Sequence, residues 1–285
     1  MRSEDQVLKQ ILDFAENDEN IRAVIMNGSR VNPNIEKDIF CDYDIVYVVR
    51  DPKKFSEDRQ WIQYFGDLVI LQFNRAEQDP ENDFIFLMQF QDGVRIDLTF
   101  VSTTSNCDLS EDSLTLVLLD KDKRFSAIPE PNEESYFTKK PDQPTFDFVV
   151  NEFWWVSTIV AKGLWREEPV MARFMFETIM RDCLLKMINW YLSIPYNWQI
   201  NVGKLGKNYA KLLAAQQCND LLKTHFGGEE EEIWQAIFIA GRLMREMGLQ
   251  VAENLGYKYP LEDDERVTEY LLKVKNLPKG ATTFQ

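Results

Sequence analysis

Two hydrophobic rhythms divide the chain. Val7, Leu8, Ile11, Phe14 and Ala15 fall on one helical face, and Ser3 with Gln6 has the form of a capping box, so a helix is expected over residues 3–16. Asn17-Asp18-Glu19-Asn20 ends it. Short β-rich runs follow. Residues 21–26 stop at Asn27-Gly28-Ser29, which reads as a strand feeding a glycine turn. Further strands are expected at about 42–49 and 68–73, and residues 84–90 and 94–101 flank Asp92-Gly93, a strong hairpin signal. Val117-Leu118-Leu119 adds a short edge strand, and another helix is expected near residues 55–65.

Between residues 128 and 146 come Pro129, Pro131, Pro141 and Pro144 among charged residues, and this stretch reads as a linker without regular structure. Beyond it the rhythm is helical. Phe146, Val149, Val150, Phe153, Val156 and Val160 make one stripe, and helical spacing or composition continues near 168–192, 207–224, 229–254 and 263–275. The acidic run Glu229 to Glu232 follows Gly227-Gly228 and belongs at a helix N-terminus, where negative charge is favourable. The fold class expected is therefore α+β: a mixed sheet with flanking helices over residues 1–135, then a helical bundle over 136–285.

Composition narrows the chemistry. The 285 residues carry 47 acidic and 32 basic side chains, a formal net charge of −15, which excludes a nucleic-acid binder led by phosphate contacts. With 45% hydrophobic residues, 19 Phe and 7 Trp, the chain has ample material for a core. The opening residues run into a polar segment without an apolar leader, and no apolar run approaches membrane length, so a cytoplasmic protein without membrane contact is expected. Cys41, Cys107, Cys183 and Cys218 lie far apart and are expected to be reduced thiols. His225 is the only histidine, so catalysis here is expected to rest on carboxylates.

The most informative segment is Gly28-Ser29, then twelve residues, then Asp42-Tyr43-Asp44 opening the apolar run 45–49. Side chains alternate along a strand, so Asp42 and Asp44 share a face while Tyr43 and Ile45 take the other. Two converging carboxylates suit Mg²⁺, which prefers one or two carboxylates plus phosphate oxygens. Asp97, flanked by Ile96 and Leu98, adds a third if the two strands are neighbours. Such an edge suits phosphoryl or nucleotidyl transfer, and the Gly28-Ser29 turn would let backbone amides and a hydroxyl approach phosphates.

This pattern resembles the nucleotidyltransferase superfamily, and the chain as a whole is similar to the aminoglycoside 6-adenylyltransferases that modify streptomycin. The resemblance spans both halves: Asn27-Gly28-Ser29-Arg30, Asp42-Tyr43-Asp44, Asp92-Gly93 to Asp97, Leu118-Leu119-Asp120-Lys121-Asp122, Asn151-Glu152-Phe153-Trp154 through Lys162-Gly163-Leu164, Gly206-Lys207-Asn208-Tyr209 and Tyr257-Lys258-Tyr259-Pro260. It implies a two-domain enzyme, with a nucleotidyltransferase catalytic domain and a helical substrate-binding domain. Such an enzyme moves AMP from MgATP to a drug hydroxyl and releases pyrophosphate, with ATP and a cationic aminoglycoside as its partners. By resemblance Asp42 and Asp44 bind Mg²⁺, Gly28 and Ser29 hold the triphosphate, and Asp97 is the catalytic base or a third metal ligand. Cys41 stands where many relatives carry a serine, and a thiol is a weak donor, so it is given no phosphate role.

Lys207 is the candidate to neutralise the triphosphate, with Lys204 its neighbouring competitor. Arg181 is accounted for by an i,i+4 surface ion pair with Glu177. Glu152, among apolar helical neighbours, is expected to be partly buried and in need of a cation. A substrate guanidinium paired with Glu152 and stacked on Trp155 meets that need as well as an internal Lys or Arg would. Phe153 and Trp154 are expected in the core. Asp182 and Glu262-Asp263-Asp264-Glu265 are expected to be solvated charges. Assembly is expected as a monomer or small homo-oligomer. The alternative to an enzyme is a nucleotide sensor or regulatory protein on the same fold, against which three converging acids argue.

Overall fold

The first helix, α1 (Glu4–Glu16), starts as its sequence requires, with Ser3 and Gln6 capping each other's backbone N–H. Its buried stripe of Val7, Ile11 and Ala15 packs on a mixed six-stranded sheet formed by β1 (Ile21–Asn27), β2 (Tyr43–Val49), β3 (Leu68–Arg75), β4 (Phe84–Phe90), β5 (Arg95–Ser102) and β6 (Thr115–Asp120). The spatial order is β3-β4-β5-β2-β1-β6, with β2 and β5 parallel and every other pair antiparallel. In this computed structural model residues 1–77, 79–105, 112–125 and 128–284 are described. The chain divides into two units, Met1–Tyr136 and Phe137–Gln285.

The helix expected near 55–65 is two short ones, α2 (Lys53–Glu57) and α3 (Ile62–Phe65), separated by Asp58 in extended conformation. Phe55, Ile62 and Phe65 join the core under the sheet, with Phe55 stacked on Phe100 at 4.2 Å. Lys121 closes the far end of α1, its Nζ donating to the Ala15 carbonyl at 2.8 Å, a cation at the negative pole of the helix dipole. Arg2 grips the hairpin turn, with Nε 2.8 Å and Nη2 3.2 Å from the two Asp92 oxygens.

The helical unit contains α4 (Gln143–Trp165), α5 (Pro169–Met175), α6 (Arg181–Ser193), α7 (Tyr209–Leu212), α8 (Ala215–Lys223), α9 (Glu230–Leu255) and α10 (Leu261–Asn276). The whole apolar stripe from Phe146 to Val160 is buried. The proline-rich stretch is more structured than expected. Residues 134–136 form a 3₁₀ turn, and α4 begins inside the stretch, with the Asp142 side chain capping Thr145 N–H at 2.9 Å. Pro144 is tolerated because first-turn amides have no helical acceptor.

The segment 168–192 is also not one regular helix, because a π turn at Phe176–Met180 separates α5 from α6. Near 207–224 a 3₁₀ turn at Lys204–Gly206 precedes α7 and α8. The acidic run does open α9, as its charge requires. Cys41, Cys183 and Cys218 are free thiols, and Cys107 lies outside the described residues. No helix among the described residues is long and apolar enough to cross a membrane.

Candidate active site

The edge of the sheet where β1, β2 and β5 meet gathers the acids. In the parallel register Asp44 stands opposite Asp97, and on its other side Asp44 stands opposite Asn27, the last residue of β1. Tyr43 and Ile45 are buried in the core, so Asp44 points to the opposite face, as alternation requires. Asp42 falls one residue before the strand begins. Its main chain is held instead by buried Arg30, which donates from Nε to the Asp42 carbonyl at 3.2 Å and from Nη2 to the Cys41 carbonyl. Arg30 also lies 3.7 Å over the Tyr43 ring and pairs with Glu4 at 3.0 Å.

Three carboxylates at one edge repel one another. The Asp44 carboxyl is pushed up to about 6, by burial first and then by Asp97 and Asp42, with Arg95 opposing. Arg95 lies two residues before Asp97 on the same face of β5 and grips it side-on, Nε to Oδ1 at 2.8 Å and Nη2 to Oδ2 at 2.7 Å. Its Nη1 stands 3.6 Å from Asp42 Oδ2. That pairing holds the Arg95 guanidinium well above its ordinary pKa, the hydrogen bond to Asp97 being the main cause.

The Gly28 turn lies against these acids. Gly28 has φ +75°, and a Cβ there would stand 2.5 Å from Asp44 Oδ2, so the absent side chain is what lets the turn approach the carboxylate. Its amide is not free for a phosphate, since it donates to the Leu114 carbonyl at 3.0 Å. The Ser29 hydroxyl is 3.3 Å from the Cys41 thiol. Asp112 adds negative charge near Asp44 and accepts a hydrogen bond from the Tyr136 phenol at 3.0 Å. Burial, then Asp112, pushes that phenol up to about 12.

As a donor set, Asp42, Asp44 and Asp97 supply only carboxylate oxygens, partly buried and crowded together, and this chemistry fits a hard divalent cation. As the side chains stand, no group of three acids, thiols or imidazoles among the described residues is arranged to hold a metal ion, and Arg95 takes both oxygens of Asp97.

In the helical unit, Glu152 is half-buried on α4 and no Lys or Arg pairs with it among the described residues. Phe148 and Trp155, each about one turn away, are both 63% exposed, while Phe153 and Trp154 are core. Lys207 and Lys204 are exposed in the 3₁₀ turn region, before α7 and not on it. Arg181 does pair with Glu177, but it is buried, and it also donates to the Thr224 hydroxyl and carbonyl, each at 2.9 Å. Asp182 pairs with Lys186 at 2.7 Å. Asp264 departs from the expectation of a solvated run: it is fully buried, accepting from Arg245 Nε and from the Tyr259 hydroxyl, each at 2.8 Å.

Sequence reasoning missed Arg95, Arg30, Asp112 and Tyr136. Two of them left a signal: Arg95 its i,i+2 spacing from Asp97 on a strand, and Arg30 its place in the Asn27-Gly28-Ser29-Arg30 segment, to which no role was given.

A glycine turn pressed against Asp44, with Asp97 beside it on the parallel strand, is the arrangement that the resemblance to the nucleotidyltransferases implies. Comparison with known proteins takes this further: residues 1–274 match the family described as streptomycin adenylyltransferase. The chain belongs to the streptomycin adenylyltransferase family. It is 38% identical over 276 residues to the aminoglycoside 6-adenylyltransferase of Bacillus subtilis (strain 168), covering 95% of this chain and 97% of that one. It is 37% identical over 279 residues to that of Campylobacter jejuni, covering 96% of each. A solved structure of an aminoglycoside 6-adenyltransferase from Bacillus subtilis matches 97% of this chain and 100% of its own, at 33% identity and a TM-score of 0.49.

Proposed function

We propose that this chain transfers AMP from ATP to a hydroxyl of a cationic aminoglycoside, with O-6 of streptomycin the leading acceptor, and releases pyrophosphate. The observation that carries the reading is the register that sets Asp44 beside Asp97, with Asp42 next to them and Gly28 pressed against Asp44. The acceptor oxygen forms a bond to the α-phosphorus, the bond to the bridging oxygen of pyrophosphate breaks, and the hydroxyl proton passes to a base. Asp97 is the carboxylate for that proton, or else a third metal ligand. Asp42 and Asp44 would hold Mg²⁺, which when bound neutralises charge on the phosphate oxygens.

Ser29 offers a hydroxyl to the triphosphate, Gly28 gives it room, and Lys207 supplies a cation in preference to Lys204. Residues 1–135 form the catalytic domain and residues 136–285 bind the acceptor. There Glu152 pairs with a guanidinium of the drug and the exposed indole of Trp155 stacks on it. The acidic chain takes no nucleic acid and works in the cytoplasm, where ATP is supplied, as a monomer or small homo-oligomer.

The test is mass spectrometry of an aminoglycoside panel incubated with the protein, ATP and Mg²⁺. An AMP adduct on streptomycin, absent with Asp42→Asn, is expected. An adduct on another drug would keep the chemistry and discard the acceptor, and no adduct on any drug would overturn the reading.

A further inference from the structure

The register that sets Asp44 beside Asp97, with Asp42 next to them, crowds like charges at one edge, and a cation placed among them offsets that repulsion. The fold supplies that charge from within. Arg95 arrives on the same strand as Asp97, spans both of its oxygens at 2.8 and 2.7 Å, and reaches toward Asp42 at 3.6 Å. A carboxylate held side-on by a guanidinium has its two most accessible lone pairs committed. A cation that needs Asp97 must therefore take those oxygens from Arg95.

We infer that Arg95 is the resident counter-ion of this edge: it holds Asp97 and Asp42 until a divalent cation binds, and it competes with that cation for Asp97. The inference rests on the metal-binding reading of Asp42, Asp44 and Asp97 given above. Two opposed consequences follow for Arg95→Gln. The apo protein loses charge compensation, while a divalent cation gains a site with neither a competitor nor a repelling neighbour. Lysine, a point charge without the planar fork, should fall between arginine and glutamine.

The experiment titrates Mn²⁺ into the protein without nucleotide and follows the free-ion signal by electron paramagnetic resonance, with Asp44→Asn as control and circular dichroism to confirm the fold of each variant. Arg95→Gln should bind Mn²⁺ about five- to tenfold more tightly than the wild type, the equivalent of losing one partly exposed ion pair, and Arg95→Lys should lie between them. Affinity that depends on Asp44 but is unchanged or weaker in Arg95→Gln would overturn the role of Arg95 alone. No Asp44-dependent binding in either the wild type or Arg95→Gln would overturn the metal reading, and this inference with it.

Discussion

Gly28→Ala separates the cost of a backbone conformation from the cost of a displaced carboxylate. Gly28 has φ +75°, and its amide is anchored to the Leu114 carbonyl at 3.0 Å, so the turn is not free to back away. Holding alanine in the left-handed region costs about 1–2 kcal/mol. The new methyl would stand 2.5 Å from Asp44 Oδ2, so the carboxylate must retreat by about 0.9 Å to reach ordinary contact, which a rotation of its side chain can provide cheaply. Stability should therefore fall by little more than the conformational cost, a drop in Tm of about 3–8 °C. Turnover should fall far more, by about 100-fold in kcat/KM, because misplacing a reacting group by about an ångström costs on that order.

Gly256 supplies the matched control, with φ +73° and nothing within 4 Å of its ideal Cβ. Gly256→Ala should show a similar loss of Tm with turnover kept. Pyrophosphate release and thermal unfolding measured on both variants decide the matter. If Gly28→Ala retains kcat/KM within about threefold of the wild type, the contact with Asp44 does not govern catalysis.

Two further predictions concern the ion pairs of Arg2 with Asp92 and of Arg245 with Asp264. Asp92 is held down at about 2 by Arg2, from an ordinary 3.8, and the pair is 20% and 29% exposed. A depressed carboxylate contributes stability above its unfolded pKa and loses it as pH falls through the folded value. Arg2→Ala should thus cost about 1–2 kcal/mol at neutral pH after allowance for solvent, and the difference should shrink between about pH 4 and pH 2 in urea unfolding curves. Arg245→Met would leave the fully buried Asp264 without its cation and should destabilise the chain by about 3 kcal/mol. Adding Asp264→Asn, which keeps an acceptor for the Tyr259 hydroxyl without the charge, should recover most of that loss.

Local signals carried much of this structure. Alternation at Asp42-Tyr43-Asp44 told which side chains enter the core, because a strand has only two faces, and the Asp92-Gly93 turn fixed the hairpin that carries Asp97. What stayed hidden depends on partners distant in sequence or on competing hydrogen bonds. Nothing local says that the Gly28 amide is used by Leu114 and not by a ligand, or that Asp264, inside a run of four acids, is turned inward by Arg245. Pro144 read as a breaker because composition does not distinguish a helix interior from a first turn, where the missing N–H is harmless. The neighbourhood of β2 and β5 was an assumption in the sequence, since two strands separated by a hairpin can pair in several orders.

That parallel pairing also bears on the order in which the chain folds. The hairpin of β4 and β5 closes over a short turn, while β2 must find β5 across about fifty intervening residues, a contact of high loop-closure entropy that forms slowly. It is also the pairing that first forces Asp44 and Asp97 together, so electrostatic repulsion falls on a step already disfavoured by chain entropy. Because Arg95 travels on the same strand as Asp97, the acid reaches β2 already neutralised.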